Sequence, residues 1–231
     1  MFPLRDENPS LTTPVVTRAL ILANVAVFLY ELMLGSDLPQ FVRTFALVPR
    51  KFELALHGLA PLSSAALPLF SSIFLHGGWP HLIGNMWYLW IFGDNIEDRV
   101  GHAGFLFFYL AGGLFSGLIH VLTNASSMLP TVGASGAIAG VLGAYAAAFP
   151  RARVITLVPL FPIFPVVALP ALLVLGFWFL MQFASGTLAL AAGVSGGVAW
   201  WAHIGGFAYG YALMLLLGGR RERRSRAWVG R

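Results

Sequence analysis

Four side chains have types and spacings that can do chemistry together: Ser135, His203, His81 and Asn85. Serine is a weak nucleophile at its own pKa and needs a neighbouring base, for which a neutral histidine serves. Ser135 stands in "TVGASGAIAG", between Gly133 and Gly136, and His203 in "WWAHIGGFAYG". Taken alone, Ser135 reads as a helix cap or packing residue. A tetrahedral oxyanion needs preorganised donors. A serine at a helix start brings its own N–H and the positive end of the helix dipole. His81 and Asn85, four apart in "HLIGN", share one helix face and add two side-chain donors.

The elements that must position them are helices in a bilayer. Of the 231 residues, 58% are hydrophobic and 10% charged, against roughly 25% charged in an ordinary soluble domain. Polar side chains inside apolar spans are costly to bury and are functional-site candidates. The apolar runs predict six spans: 17–34, 79–98, 101–122, 135–149, 164–183 and 198–217. The first outside loop, 35–78, is long enough to be functional and has room for an interfacial helix. Four prolines, Pro159, Pro162, Pro165 and Pro170, leave the start of the fifth helix open.

Depth follows from a rise of about 1.5 Å per residue. Counting from Pro150, Ser135 lies about 21–23 Å above the inner face; counting from Gly218, His203 lies at about 22 Å. For the second span the level depends on its inner end: counting from Asp98 brackets the serine, with His81 at about 25 Å and Asn85 at about 19 Å, whereas counting from Asp94 puts both lower. Close lateral approach is encoded by Gly136 and Gly140 in the fourth span and Gly206 and Gly210 in the sixth. No acid lies at this depth, so the residues offer a Ser–His dyad without a third member.

Other chemistries lack their residues. There is no cysteine, and no His-Glu dipeptide for a zinc protease motif. Asp94 has no facing intramembrane aspartate for a paired-carboxylate mechanism. Six of the fourteen basic residues sit in the tail "RRERRSRAWVGR", where they suit anionic lipid rather than nucleic acid. With both termini inside, the inner segments hold eleven arginines and the outer ones three basic residues. His120 and Asn124 read as interfacial polar residues, Glu31 as reaching headgroups, and His57 and His102 as solvent-side. His76 stands before the second span, at a cavity mouth or in an ordinary loop.

"GASG" opening a span, "HLIGN" opening an earlier one and "AHIGGFAYG" in the last, with "HGG" before "WPHLIGN" and "EDRVG" at the inner turn, together resemble the rhomboid intramembrane serine proteases of bacterial type. The resemblance covers residues 17–218. It implies an all-α six-transmembrane-helix bundle with a cavity open to the outside, Ser135 as nucleophile and His203 as base. It also implies an oxyanion site of Asn85, His81 and the Ser135 N–H. The implied substrates are transmembrane helices of other proteins, cut near their outer ends, with no metal or cofactor. Two departures stand out. Ala139 occupies a position where many members carry an aromatic that packs on the histidine, leaving Trp200 and Trp201 as candidates to orient His203. The first loop lacks a Trp-Arg pair common in the family.

This reading divides the chain into a cytoplasmic segment 1–16, a protease domain 17–218 and a basic cytoplasmic tail 219–231. It expects a multi-pass protein of a bacterial inner membrane. The alternative from another class is a catalytically inactive rhomboid-like protein that binds membrane helices; a small-molecule transporter is disfavoured by the absence of an internal repeat.

Overall fold

The computed structural model describes residues 1–191 and 199–229, with side chains described for 1–189 and 199–218. Helices stand at all six places the apolar runs mark: α1 (Val15–Met33), α5 (Trp79–Val100), α6 (His102–Thr123), α7 (Ser135–Ala148), α8 (Ala171–Ala191) and α9 (Trp200–Val229). Among the described residues, three are long and apolar enough to cross a membrane: α1, α6 and the Ala171–Ala189 stretch of α8. The sixth expected span began at residue 198, outside the described residues. The arginine side chains of the expected tail 219–231 lie outside them too.

The stretch expected as one long loop is filled by three short helices: α2 (Leu38–Phe45), α3 (Pro49–Leu56) and α4 (Ser63–Ser71). Phe52, Ala55 and Ala65 pack with Leu47 and Val121 in a small apolar cluster. Leu47 and Thr131 exchange both backbone hydrogen bonds, at 3.1 and 2.7 Å. That bridge ties the segment to the chain just ahead of Ser135.

Helix α7 is the centre of the bundle. Gly136 to Ala146 are all buried, as expected of an apolar helix with no polar face. Its seam with α9 is made by glycines. A Cβ on Gly206 would overlap the Gly136 carbonyl oxygen, and one on Gly210 would overlap that of Gly140. Backbone therefore lies directly on backbone along this crossing.

The fifth helix corrects the expected boundaries. It starts at Ala171, not Phe164, because the proline-rich run before it forms strands. Strands β1 (Phe2–Asp6), β2 (Arg153–Leu157) and β3 (Val166–Pro170) make an antiparallel sheet in the order β1-β2-β3, with Asp6 opposite Val154 and Leu157 opposite Val166. Val154 and Thr156 are fully buried while Arg153, Ile155 and Leu157 are not, the period-two alternation of a half-buried strand. Pro165 and Pro170 bracket β3 and deny a helix its N–H donors there.

The first sixteen residues are folded onto the bundle. The Tyr145 hydroxyl donates to Asp6 at 2.6 Å, and Trp87 Nε1 donates to the Pro3 carbonyl at 2.7 Å. The sheet thus runs along α5 on one side and leads directly into α8 on the other. The Glu97 carboxylate accepts from the N–H groups of Val16 and Thr17 and from the Thr17 hydroxyl at 2.7–2.8 Å. These charge-assisted bonds satisfy orphan donors of α1 and offset the several kcal/mol that burying a carboxylate costs. Asp98 likewise accepts from Ser10, Leu11 and Thr12.

Candidate active site

Ser135 is the first residue of α7. The first helical backbone bond runs from Ile138 N–H to the Ala134 carbonyl, so the N–H groups of Ser135 to Ala137 have no acceptor within the helix. His203 lies in the first turn of α9, buried. The glycine seam brings the two together: His203 Nε2 is 2.7 Å from Ser135 Oγ. The other ring nitrogen, Nδ1, is 2.8 Å from Gln182 Oε1 on α8.

His81 and Asn85 converge on the backbone just ahead of the serine. Gly133 sits at φ +124°, a conformation L side chains rarely adopt, and a Cβ there would stand 2.7 Å from His81 Nε2 and 3.6 Å from Asn85 Nδ2. Only glycine lets the backbone before α7 come this close to the imidazole. Gly133 therefore has a local role, while Gly136, Gly140, Gly206 and Gly210 lie on the α7–α9 seam. The Gly77 N–H points at His81 Nδ1 from 3.3 Å. That nitrogen is the acceptor, so the ring proton stands on Nε2 as a donor toward Gly133. Asn85 Nδ2 is buried and has no hydrogen-bond partner among the described residues.

These groups line a cavity of about 530 Å³ between α5, α7, α8 and α9, with Tyr88, Leu142 and Trp178 deeper in its wall. A cavity with a paired Ser–His and a buried side-chain donor on one side holds the kinds of group that acyl transfer would need: a hydroxyl beside an imidazole, with hydrogen-bond donors close by.

Several expectations about neighbouring polar groups change. Glu31 does not reach outward; it is buried and accepts the His76 N–H at 3.1 Å. Its backbone target starts the turn that presents His81, 5.1 Å ring to ring from His76. Burial, with the nearby His81 second, pushes the His76 imidazole down to about 4. His120 is buried, with Nε2 2.8 Å from the Thr131 hydroxyl. His102 meets Glu97 at 2.5 Å. His57 is exposed.

Sequence reasoning missed Gln182 and Trp178, which touch His203 from α8; the Trp178 ring lies 6.0 Å from the imidazole. Of the two tryptophans expected to do so, Trp200 reaches it edge-on at 6.5 Å, while Trp201 packs on Phe183. A signal for Gln182 was present. It is the one amide or charge in the fifth apolar run, and the depth count applied to the other polar groups was not extended to it.

Comparison with known proteins converges on the same segment. The model of the Rhomboid domain matches residues 64–220. The presenilin-associated rhomboid-like protein A, mitochondrial, of Danio rerio is 38% identical over 112 residues, 47% of this chain and 29% of that protein. The mitochondrial rhomboid protein 1 of Saccharomyces cerevisiae is 34% identical over 99 residues, 41% of this chain and 29% of its own. The RHOMBOID-like protein 1 of Arabidopsis thaliana is 27% identical over 221 residues, 87% of this chain and 52% of its own. The chain thus spans about half or less of these relatives' lengths. They also overturn the expected bacterial inner membrane: the three relatives named above are eukaryotic, and those from zebrafish and yeast are named as mitochondrial.

Proposed function

Because the chain belongs to the rhomboid family, we propose that it is an intramembrane serine endopeptidase working through a Ser135–His203 dyad. The observation that carries the reading is the 2.7 Å approach of His203 Nε2 to Ser135 Oγ inside the cavity. Ser135 Oγ attacks the scissile carbonyl while its proton passes to His203 Nε2. The oxyanion forms against Asn85 Nδ2, His81 Nε2 and the Ser135 N–H. The C–N bond then breaks as His203 returns the proton to the leaving amine, and water, deprotonated by the same imidazole, releases the acyl-enzyme.

The substrates are transmembrane helices of other membrane proteins, cut near the end level with Ser135. A helix protects its peptide bonds and must unwind locally to enter, so weak helix formers favour cleavage. The catalytic unit is the six-span segment 17–218, flanked by 1–16 and 219–231, in a mitochondrial membrane. No metal or cofactor takes part. Cleavage of a reporter transmembrane helix by purified wild type, Ser135→Ala and His203→Ala tests the reading. Cutting by wild type alone supports it; cutting by Ser135→Ala at the wild-type rate ends it.

A further inference from the structure

A histidine can be a base toward Ser135 only in one tautomer. With Nε2 2.7 Å from the hydroxyl, the ring proton must stand on Nδ1 so that Nε2 keeps its lone pair. The partner of Nδ1, 2.8 Å away, is Gln182 Oε1, and a carbonyl oxygen only accepts. Turning the amide over would point its NH2 at Nδ1, demand a lone pair there and move the ring proton to Nε2. The serine would then be the acceptor and would have no base. An amide orientation is assigned from its partners, and the short Nε2 contact to a hydroxyl that must lose its proton selects the one with Oε1 toward the ring.

The ring is held on three sides. Gln182 holds Nδ1. Trp178, four residues earlier on the same face of α8, lies beside the ring at 6.0 Å and 36°. Trp200 closes the third side edge-on. Ala139, four residues after the serine, is fully buried and brings no aromatic ring to the imidazole. Two of the three contacts therefore come from α8, an element that carries neither the nucleophile nor the base.

We infer that Gln182 is the positioning residue of the dyad: its Oε1 holds the Nδ1 proton of His203, so that Nε2 faces Ser135 as a base. The inference rests on the hydrolase reading above. It gives the site an orienting group that is neutral, one that fixes the tautomer without adding the charge an aspartate would. The titratable groups whose field reaches His203 are His81 on α5 and His120 on α6, so a carboxylate placed at 182 would be a new kind of neighbour.

The test is the pH profile of Ser135 labelling by an activated fluorophosphonate, with the full chain in detergent and Ser135→Ala as blank. Gln182→Leu, which cannot accept, should label on the order of tenfold to a hundredfold more slowly than wild type, the worth of a hydrogen bond to a charged imidazolium, and should melt somewhat lower because the buried Nδ1–H loses its acceptor. Gln182→Glu should label, with the acid limb of its profile moved to higher pH by about one unit, because the carboxylate favours the protonated ring. Wild-type rates and an unmoved limb in both variants overturn the inference. If Gln182→Leu does not fold, the limb of Gln182→Glu decides alone. Failure of the hydrolase reading looks different: wild type itself shows no Ser135-dependent label, which removes both proposals.

Discussion

Substituting Gly206 by alanine should separate the dyad without touching it. Gly206 lies three residues after His203, about 4.5 Å along α9. A methyl there would overlap the Gly136 carbonyl oxygen and stand 3.3 Å from Ala139 Cβ. A carbonyl in the first turn of α7 has no rotamer to escape into, so the helices must part, by at least about 1 Å to restore ordinary contact in a close-packed seam. Added to the 2.7 Å between Ser135 Oγ and His203 Nε2, that takes the pair beyond the range of a good hydrogen bond. A misplacement of this size costs about a hundredfold in rate, with about 1–3 kcal/mol of stability for overpacking. Gly140→Ala on the facing helix is the control. Its methyl would stand 3.3 Å from the Gly206 carbonyl and 3.6 Å from the Tyr209 ring, which a shift of a few tenths of an ångström relieves. Phosphonate labelling rates and melting curves of the two variants read the difference. Equal labelling by Gly206→Ala and Gly140→Ala would refute the claim that this seam sets the dyad distance.

The other predictions follow from single unpartnered or buried groups. Asn85→Ala should lower the cleavage rate by about a hundredfold to a thousandfold, as expected for an oxyanion donor. It should change the melting temperature little, because Asn85 Nδ2 has no partner to lose among the described residues; a large stability loss with unchanged cleavage would reverse that assignment. His76 should make stability pH-dependent. Its imidazole is held down to about 4 from an ordinary 6.5, so the neutral ring's contribution is complete above pH 6.5. That contribution is lost as pH falls toward 4, by roughly 3 kcal/mol at most. Melting curves of His76→Phe between pH 7 and 4 should be flatter than those of the wild type.

Much of this arrangement is legible in the sequence, for physical reasons that differ residue by residue. The helix starts at Trp79 and Ser135 follow from glycine and proline punctuation ahead of apolar runs. The common level of Ser135 and His203 follows from helix rise alone, since each can be counted from the marked inner end of its own apolar run. Their lateral approach is encoded in glycines whose spacing repeats every four residues. The sheet was hidden because "RVITLVPLFPIFPVVALP" is as apolar as a span. The prolines argue against a helix there without specifying strands, and pairing with residues 2–6 is a contact between distant parts of the chain that no local pattern reports. The partner of Gln182, though not the residue itself, was hidden for the same kind of reason: it is set by how α8 is rotated, and that rotation depends on where the sheet ends and the helix begins. Glu31 and His120, at helix ends, carry the polarity of interfacial residues, yet the helices filling 38–71 and the Leu47–Thr131 bridge close over that end of the bundle.

Reaction of the purified wild type with an activated fluorophosphonate, followed by mass mapping of the adduct, tests the central claim most directly, because it asks only whether His203 makes Ser135 a nucleophile. A single adduct on Ser135, absent from His203→Ala, is the predicted result. An intact Ser135 under conditions where the protein remains folded would contradict it and leave a rhomboid-family protein that holds membrane helices without cutting them.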